Sequence, residues 1–361
     1  MKETVVVGMS GGVDSSVAAW LLQQKGYRVI GETMQIWQER AEEKGSEDGG
    51  CCGLSAVEDA RRVAHGLGIP HYVMNFRREF RENVIDYFAD EYYCGRTPNP
   101  CIACNRYVKW ESLLARACAL GADYIATGHY ARIARLPGGR SAVRSSVTAA
   151  KDQTYALYNL TQQQLAHTLM PVGAYYKEEI RRIAGEIGLS VAEKKDSQEI
   201  CFIPDHDYAA FLRAYTGRES LPGNFVSTAG KVLGRHKGLI HYTIGQRKGL
   251  GIAFGEPMFV VALRPETNEV VLGKGDEVWR SSLLCEEVNY MGMAGLEEDR
   301  RALVKIRYSH AGEWALLHKR ADGRVECHFE KPVRAVTPGQ AAVFYDGDLV
   351  LGGGRIVAEK P

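Results

Sequence analysis

The sequence predicts an α/β protein with a doubly wound parallel sheet at its N-terminus, followed by a small mostly-β central domain and a C-terminal β-barrel. Three observations carry this. From residue 4 to about 133, apolar strand patterns alternate with amphipathic helix patterns. From 221 to 283 the texture changes to short apolar runs broken by turns such as Leu221-Pro222-Gly223-Asn224, Gly249-Leu250-Gly251 and Glu266-Thr267-Asn268-Glu269. From about Leu284 onward, short strands such as Ala302–Arg307, Val325–Phe329 and Ala341–Phe344 alternate with Gly/Asp turns. The expected domains are 1–205, 206–283 and 284–361.

Each element has a local reason. Thr4-Val5-Val6-Val7 is a β-branched run suited to a central parallel strand, and Val13, Val17, Leu21 and Leu22 then recur at helical spacing until Gly26. Arg28–Met34 reads as a strand. Ser55–Leu67 reads as a helix, with Ser55 and Glu58 as capping box and Gly68 and Pro70 as stop. His71–Phe76 is the next strand. One helix follows with Phe80, Val84, Phe88 and Tyr92 on one face, and another follows Asn105 and ends at Gly121, before the strand Tyr124–Thr127. Pro137-Gly138-Gly139 reads as the turn of a small hairpin, Thr161 and Gln164 open a short helix, and Tyr176–Ile187 forms a longer one. The first domain is expected to end near Pro204. Ligands of such sheets bind at the carboxyl ends of strands, where Gly8, Met34 and Gly128 fall.

The chain has 361 residues, 45% apolar and 25% charged, the composition of an ordinary globular protein with several cores. No stretch approaches a membrane span, and Met1-Lys2-Glu3 runs straight into a strand, so a cytoplasmic protein without a membrane partner is expected. Nine cysteines, an odd number, argue for thiol chemistry or metal ligation rather than a disulfide scaffold. A net charge of +1 gives no global attraction for nucleic acid, so an RNA partner must be held by local patches. Arg235-His236-Lys237 and Gln246-Arg247-Lys248 are short clusters that read first as solvated surface.

Chemistry concentrates at Gly8-Met9-Ser10-Gly11-Gly12-Val13-Asp14-Ser15-Ser16, between strand and helix. Glycines admit an anion close to the backbone, and the helix start supplies N–H donors and partial positive charge. The spacing fits neither GxxxxGK[ST] nor the three-glycine dinucleotide fingerprint. SGGxDS resembles the loop of enzymes that split ATP into AMP and pyrophosphate, with Asp14 assisting Mg2+. Short Gly-Ser strings are often only turns; here the strand before and the helix after both fit.

Cys101-Ile102-Ala103-Cys104 follows a segment interrupted by Pro98 and Pro100, so the pair is expected on a loop. Such a pair serves as a redox couple, as half of a zinc site or, with a third cysteine, as an iron–sulfur site. Zinc is the weaker choice, because no second pair exists and Cys51-Cys52 are adjacent. Cys201 lies in the strand-like Ile200-Cys201-Phe202-Ile203, which by itself reads as a buried cysteine, although Lys194 and Lys195 nearby favour a thiolate.

Taken together, the chain resembles the bacterial tRNA-specific 2-thiouridylases nearly end to end. The motifs are GMSGGVDSS at 8–16, GRTPNPCIACN at 95–105, ATGHYARI at 126–133, KDQTYAL at 151–157, KKDSQEICFIP at 194–204, GLIHYTIGQRKGLGI at 238–252 and TPGQAAVFYDGD at 337–348. The resemblance implies ATP-dependent replacement of the wobble-uridine 2-oxygen by sulfur in tRNAs for Lys, Glu and Gln. It assigns Gly8, Met9, Ser10, Gly11, Gly12, Val13, Asp14 and Ser15 to ATP phosphates, and Met34 and Gly128 to the adenosine. Cys104 matches the family nucleophile and Cys201 the persulfide carrier, while Asn99, Pro100 and Cys101 match the segment facing the target base. His129, Lys151, Asp152, Gln153, Arg307, Tyr308 and Gln340 match tRNA contacts. A cysteine desulfurase or sulfur-relay protein is the implied donor. Position 101 is Cys here and Asp in some members, which leaves two sulfur routes: a persulfide relay through Cys201 and Cys104, or an iron–sulfur cluster on Cys101, Cys104 and Cys201.

The chemistry is coherent, because a uracil C2 carbonyl reacts only once its oxygen is made a leaving group, and sulfur must then arrive at close range. An anticodon-loop base can be splayed into a pocket. Two rivals remain: another pyrophosphate-loop ligase or amidotransferase, which needs neither Cys104 nor Cys201, and a zinc-containing RNA-binding module, which needs no intact SGGVDS loop.

Overall fold

The computed structural model describes residues 2–36, 54–194, 200–203, 207–252 and 255–358. Cys51, Cys52, Lys195 and Pro204 lie outside them. Strands β1 (Thr4–Gly8), β2 (Arg28–Gln35), β3 (His71–Asn75), β4 (Tyr124–Ala126) and β7 (Thr168–Leu169) form a parallel sheet in the order β3-β2-β1-β4-β7. The order reverses between β1 and β4, which opens a crevice at their carboxyl ends. Val5 and Val7 of β1 are fully buried against helix α1 (Val13–Gln24), whose Val13, Val17, Leu21 and Leu22 supply the facing stripe.

Helix α2 (Leu54–Gly66) begins one residue before Ser55, so Ser55 lies inside the first turn and is not the cap. Its end is as read. Gly68 takes φ +65°, with Gly68 N–H on His65 O at 3.0 Å and Ile69 N–H on Ala64 O at 3.0 Å, a Schellman closure. A second correction concerns the cysteine pair, which is helical: Pro100–Ala103 runs directly into Cys104–Leu113 and Leu114–Ala119. Pro100 sits at the first helical position, where a missing N–H costs nothing. The run Arg77–Phe80, Arg81–Asp86 and Tyr87–Tyr93 buries Phe80, Val84, Phe88 and Tyr92, the face expected. Both runs contain wider π-helical turns, at Arg81–Asp86 and Cys104–Leu113.

The chain divides into two compact units. One holds 1–85, 100–204 and 348–350; the other holds 86–99, 205–347 and 351–361. The first contains the parallel sheet and the hairpin of β5 (Ala131–Arg135) and β6 (Ser141–Ser145), turned at 136–140. Asp348 belongs here because Arg132 and Arg144 both hold its carboxylate, at 2.9 and 2.8 Å.

In the second unit, β8 (Gly223–Ser227), β9 (Val232–His236), β10 (Phe259–Arg264) and β11 (Glu269–Gly273) form a small sheet in the order β10-β11-β8-β9. Its core gathers Phe225, Tyr242, Val260, Val270 and Leu272. Strands β12 (Trp279–Tyr290), β13 (Arg300–Lys305), β14 (Glu313–Lys319), β15 (Val325–Arg334), β16 (Ala341–Asp346) and β17 (Leu349–Val357) make a barrel, closed where Leu284 of β12 pairs with Val357 of β17. Closure leaves these strands without open edges.

Candidate active site

The loop leaving β1 presents backbone. Met9 and Val13, both in the predicted nucleotide set, point into the core and contribute only main chain. Gly11 takes φ +67°, and a Cβ there would lie 2.3 Å from Ala56 O on α2. Gly12 caps α1 without any side-chain hydrogen bond, leaving the first-turn N–H groups of α1 without a side-chain acceptor. Ser15 Oγ accepts from Ser10 N–H at 3.2 Å and Ser16 Oγ donates to Gly12 O at 2.7 Å, which fixes the curl of the loop. Gly128, just beyond β4, closes the other side: a Cβ there would stand 2.6 Å from Ser15 N and 3.0 Å from Asp14 Cβ. Met34 lies half-buried near the end of β2, beside Met74. The end of β4 therefore packs against the first turn of α1 through a glycine.

Asp14 accepts from Lys177 Nζ at both carboxylate oxygens, 2.7 and 2.9 Å, and from the Tyr130 hydroxyl at 2.8 Å. The Lys177 ammonium occupies the Asp14 carboxylate in this arrangement, so Asp14 would meet a divalent cation only once that ammonium moves away. Among the described residues no three His, Cys, Asp or Glu side chains gather as a metal site. Cys101, Cys104 and Cys201 are accordingly not assembled as a three-thiolate cradle.

Cys101 is exposed, and Cys104 is half-buried one helical turn later, at the start of the π-helical stretch. Cys201 is also half-buried. Its segment is a turn rather than the strand expected: Ile203 N–H reaches Ile200 O at 2.9 Å, and Phe202 meets Phe80 edge-on at 5.7 Å. Buried Phe202 and Ile203 anchor the turn and Cys201 stands between core and surface. Lys194 donates to Asp59 on α2 at 2.6 Å and to Gly11 O of the phosphate loop at 3.1 Å.

Beside Cys104, Asn105 is buried and donates to Ala156 O at 3.0 Å, while its Oδ1 accepts from Lys109 Nζ at 2.9 Å. Lys109 Nζ lies 3.5 Å from His129 Nε2, and Thr127 Oγ1 lies 2.6 Å from His129 Nδ1. Burial, with the Lys109 charge adding to it, pushes the His129 pKa well down, so the ring is neutral. Of the predicted 151–153 contacts, Asp152 accepts from Ser146 and Thr154 backbone N–H, and Gln153 accepts from Tyr130 N–H at 2.8 Å. These two side chains brace the fold around Tyr130.

In the second unit, Arg307 donates to Arg334 O at 3.0 Å, and Tyr308 is exposed. Gln340 Nε2 donates to Thr97 O at 2.8 Å, and Thr97 N–H to Pro338 O at 2.9 Å, so the Thr337–Gln340 loop grips the stretch leading to Asn99. Arg96 is anchored by a two-pronged pair with buried Glu91. Lys177 and Tyr130 were not singled out by sequence reasoning; neither stands in a motif whose chemistry names it.

These features define a class, a nucleotide-binding α/β domain carrying two β modules. Comparison with known families bears this out: a family described as tRNA methyl transferase HUP domain matches residues 3–205, its PRC-barrel domain 209–274, and an aminomethyltransferase beta-barrel domain 280–356. A tRNA-specific 2-thiouridylase of Lachnoclostridium phytofermentans is 64% identical over 98% of this chain and 99% of its own. One of Acetivibrio thermocellus is 57% identical over 98% and 99%, and one of Clostridioides difficile 52% identical over 99% and 98%. The chain belongs to the tRNA-specific 2-thiouridylase family and is an enzyme of that kind. No helix among the described residues is long and apolar enough to cross a membrane.

Proposed function

We propose that this enzyme uses ATP to replace the 2-oxygen of the wobble uridine by sulfur in tRNAs for Lys, Glu and Gln. The observation that carries the reading is the uncapped start of α1 closed by Gly128, a cradle of backbone donors for phosphate at the switch point of the sheet. The half-buried thiols Cys104 and Cys201 in the same unit supply the sulfur chemistry. Residues 1–205 would then hold ATP and do the chemistry, 206–283 would form a small β-rich domain, and 284–361 would engage tRNA through groups such as Arg307 and Tyr308.

The base O2 attacks the α-phosphorus; the bond to the β-phosphate oxygen breaks and pyrophosphate leaves with the electron pair. The terminal sulfur of a Cys201 persulfide adds to C2. The Cys104 thiolate then attacks the inner Cys201 sulfur, so the S–S bond breaks, a Cys104–Cys201 disulfide forms, and AMP departs as the C2 thiocarbonyl closes. A dithiol reductant returns two electrons to the disulfide, and a cysteine desulfurase or relay protein reloads the sulfur. The second route, an iron–sulfur cluster with an open iron, would require Cys101, Cys104 and Cys201 to be brought together from where they stand.

The test is thiolation of unmodified tRNA by anaerobically purified protein, ATP and a persulfide donor, with mass spectrometry of nucleosides. One AMP and one pyrophosphate per 2-thiouridine is the expected result, and ADP or an unmodified product would refute it. Stoichiometric iron lost together with activity in Cys101→Ser would replace the relay by the cluster.

A further inference from the structure

Among the described residues no other lysine or arginine is buried as Lys177 is, at 6% exposure. Its position is unfavourable on two counts. It opens the helix Lys177–Glu186, where the macrodipole repels a cation, and it is removed from water. The Asp14 carboxylate offsets both, from the first turn of α1, and the ammonium lies 5.6 Å from the centre of the Tyr130 ring. An apolar pair would fill the same volume at no electrostatic cost. What an apolar pair lacks is a positive charge on a flexible stem, held beside the phosphate loop by an acid that a stronger anion can displace.

We propose that Lys177 is a phosphate-binding residue of this loop, resting on Asp14 in the empty enzyme and turning to the β- and γ-phosphates when ATP binds. This rests on the reading of Gly8–Ser15 as an ATP site. As the α-phosphorus bond to the β-phosphate oxygen breaks, the electron pair goes to pyrophosphate, and the ammonium neutralises the charge that develops there. Tyr130 keeps its hydroxyl on Asp14 Oδ1 and holds the vacated carboxylate in place.

The full-length protein is titrated calorimetrically with ATP, pyrophosphate and AMP. In Lys177→Met the dissociation constants for ATP and pyrophosphate rise tenfold or more, and that for AMP, which has no β-phosphate, stays within twofold. Lys177→Arg, which keeps the charge, recovers most of the ATP affinity. Equal losses for ATP and AMP would make Lys177 a structural residue, and unchanged ATP affinity would remove it from the site; either overturns the proposal. Should Lys177→Met fail to fold, Lys177→Gln/Asp14→Asn is compared with Asp14→Asn alone, and the same selective loss is required. A wild-type protein that binds no ATP refutes the site reading itself, whereas a binding wild type with an indifferent Lys177 refutes only this inference.

Discussion

The side-chain amide of Gln340 donates to the main-chain carbonyl of Thr97 at 2.8 Å, fastening a loop of the barrel to the stretch that precedes Asn99. Gly339 lies under the same contact at φ +90°, with a Cβ position 3.0 Å from Thr97 N and 3.1 Å from Arg96 Cβ. Gly339→Ala therefore combines left-handed strain with a backbone clash and should cost about 1–3 kcal/mol. Urea unfolding measures it, and a variant as stable as wild type would contradict the contact.

Gly128→Ala has no backbone strain to bear, yet its methyl falls 2.6 Å from Ser15 N. The end of β4 and the phosphate loop must separate. We expect at least a tenfold weaker ATP dissociation constant with a preserved far-ultraviolet spectrum.

Cys104→Ser and Cys201→Ser should each abolish thiolation. Cys118→Ser, at an exposed position, should leave it unchanged, and Cys285→Ser, deep in the barrel, should lower stability while sparing the activity of the folded fraction. Single-turnover assays on the four variants separate these outcomes, and equal tolerance at all four would defeat the relay.

Glu32 is fully buried on β2, and neither carboxylate oxygen has a hydrogen-bond partner among the described residues. Burial pushes its pKa up from 4.5 to about 8, against the opposing pull of Arg116. The folded state thus holds a proton that the unfolded chain releases, so the contribution of Glu32 to stability is fully present below pH 4.5 and declines as pH rises to about 8, by up to about 1.4 kcal/mol per unit. Glu32→Leu should remove the decline. Urea midpoints from pH 5 to 9 test this, since parallel curves for the two proteins would show that Glu32 is already charged.

Tyr308 is 50% exposed and sits next to Arg307. Tyr308→Ala should weaken tRNA binding several-fold through lost stacking while leaving ATP affinity untouched. Filter binding at two salt concentrations reads it, and an unaltered tRNA affinity would remove this surface from the interface.

Much of this architecture is legible in local pattern. The valines of β1, the Thr161–Gln164 capping box and the turn of the β5–β6 hairpin all form where the residues say they should. The misreadings have separate causes, one tertiary and one local. Ile200–Ile203 looks like a strand, but Phe202 and Ile203 gain more by folding into a turn against Phe80. Pro100 looks like a breaker, yet it occupies the one helical position that tolerates it. Lys177 was invisible for a different reason. Its partner Asp14 lies 163 positions away, and a single lysine at a helix start carries no periodic or motif signal.

The alternation of the chain between its two units bears on how the protein is made. Arg132 meets the carboxylate of Asp348 only after a further 216 positions have been synthesised, and Arg144 waits for the same group. During synthesis the two arginines of the hairpin therefore emerge well before their shared counter-ion, which arrives only with the turn between β16 and β17, the last of the barrel. A chain ending before Asp348 would lack the one carboxylate that both arginines of the Ala131–Ser145 hairpin hold.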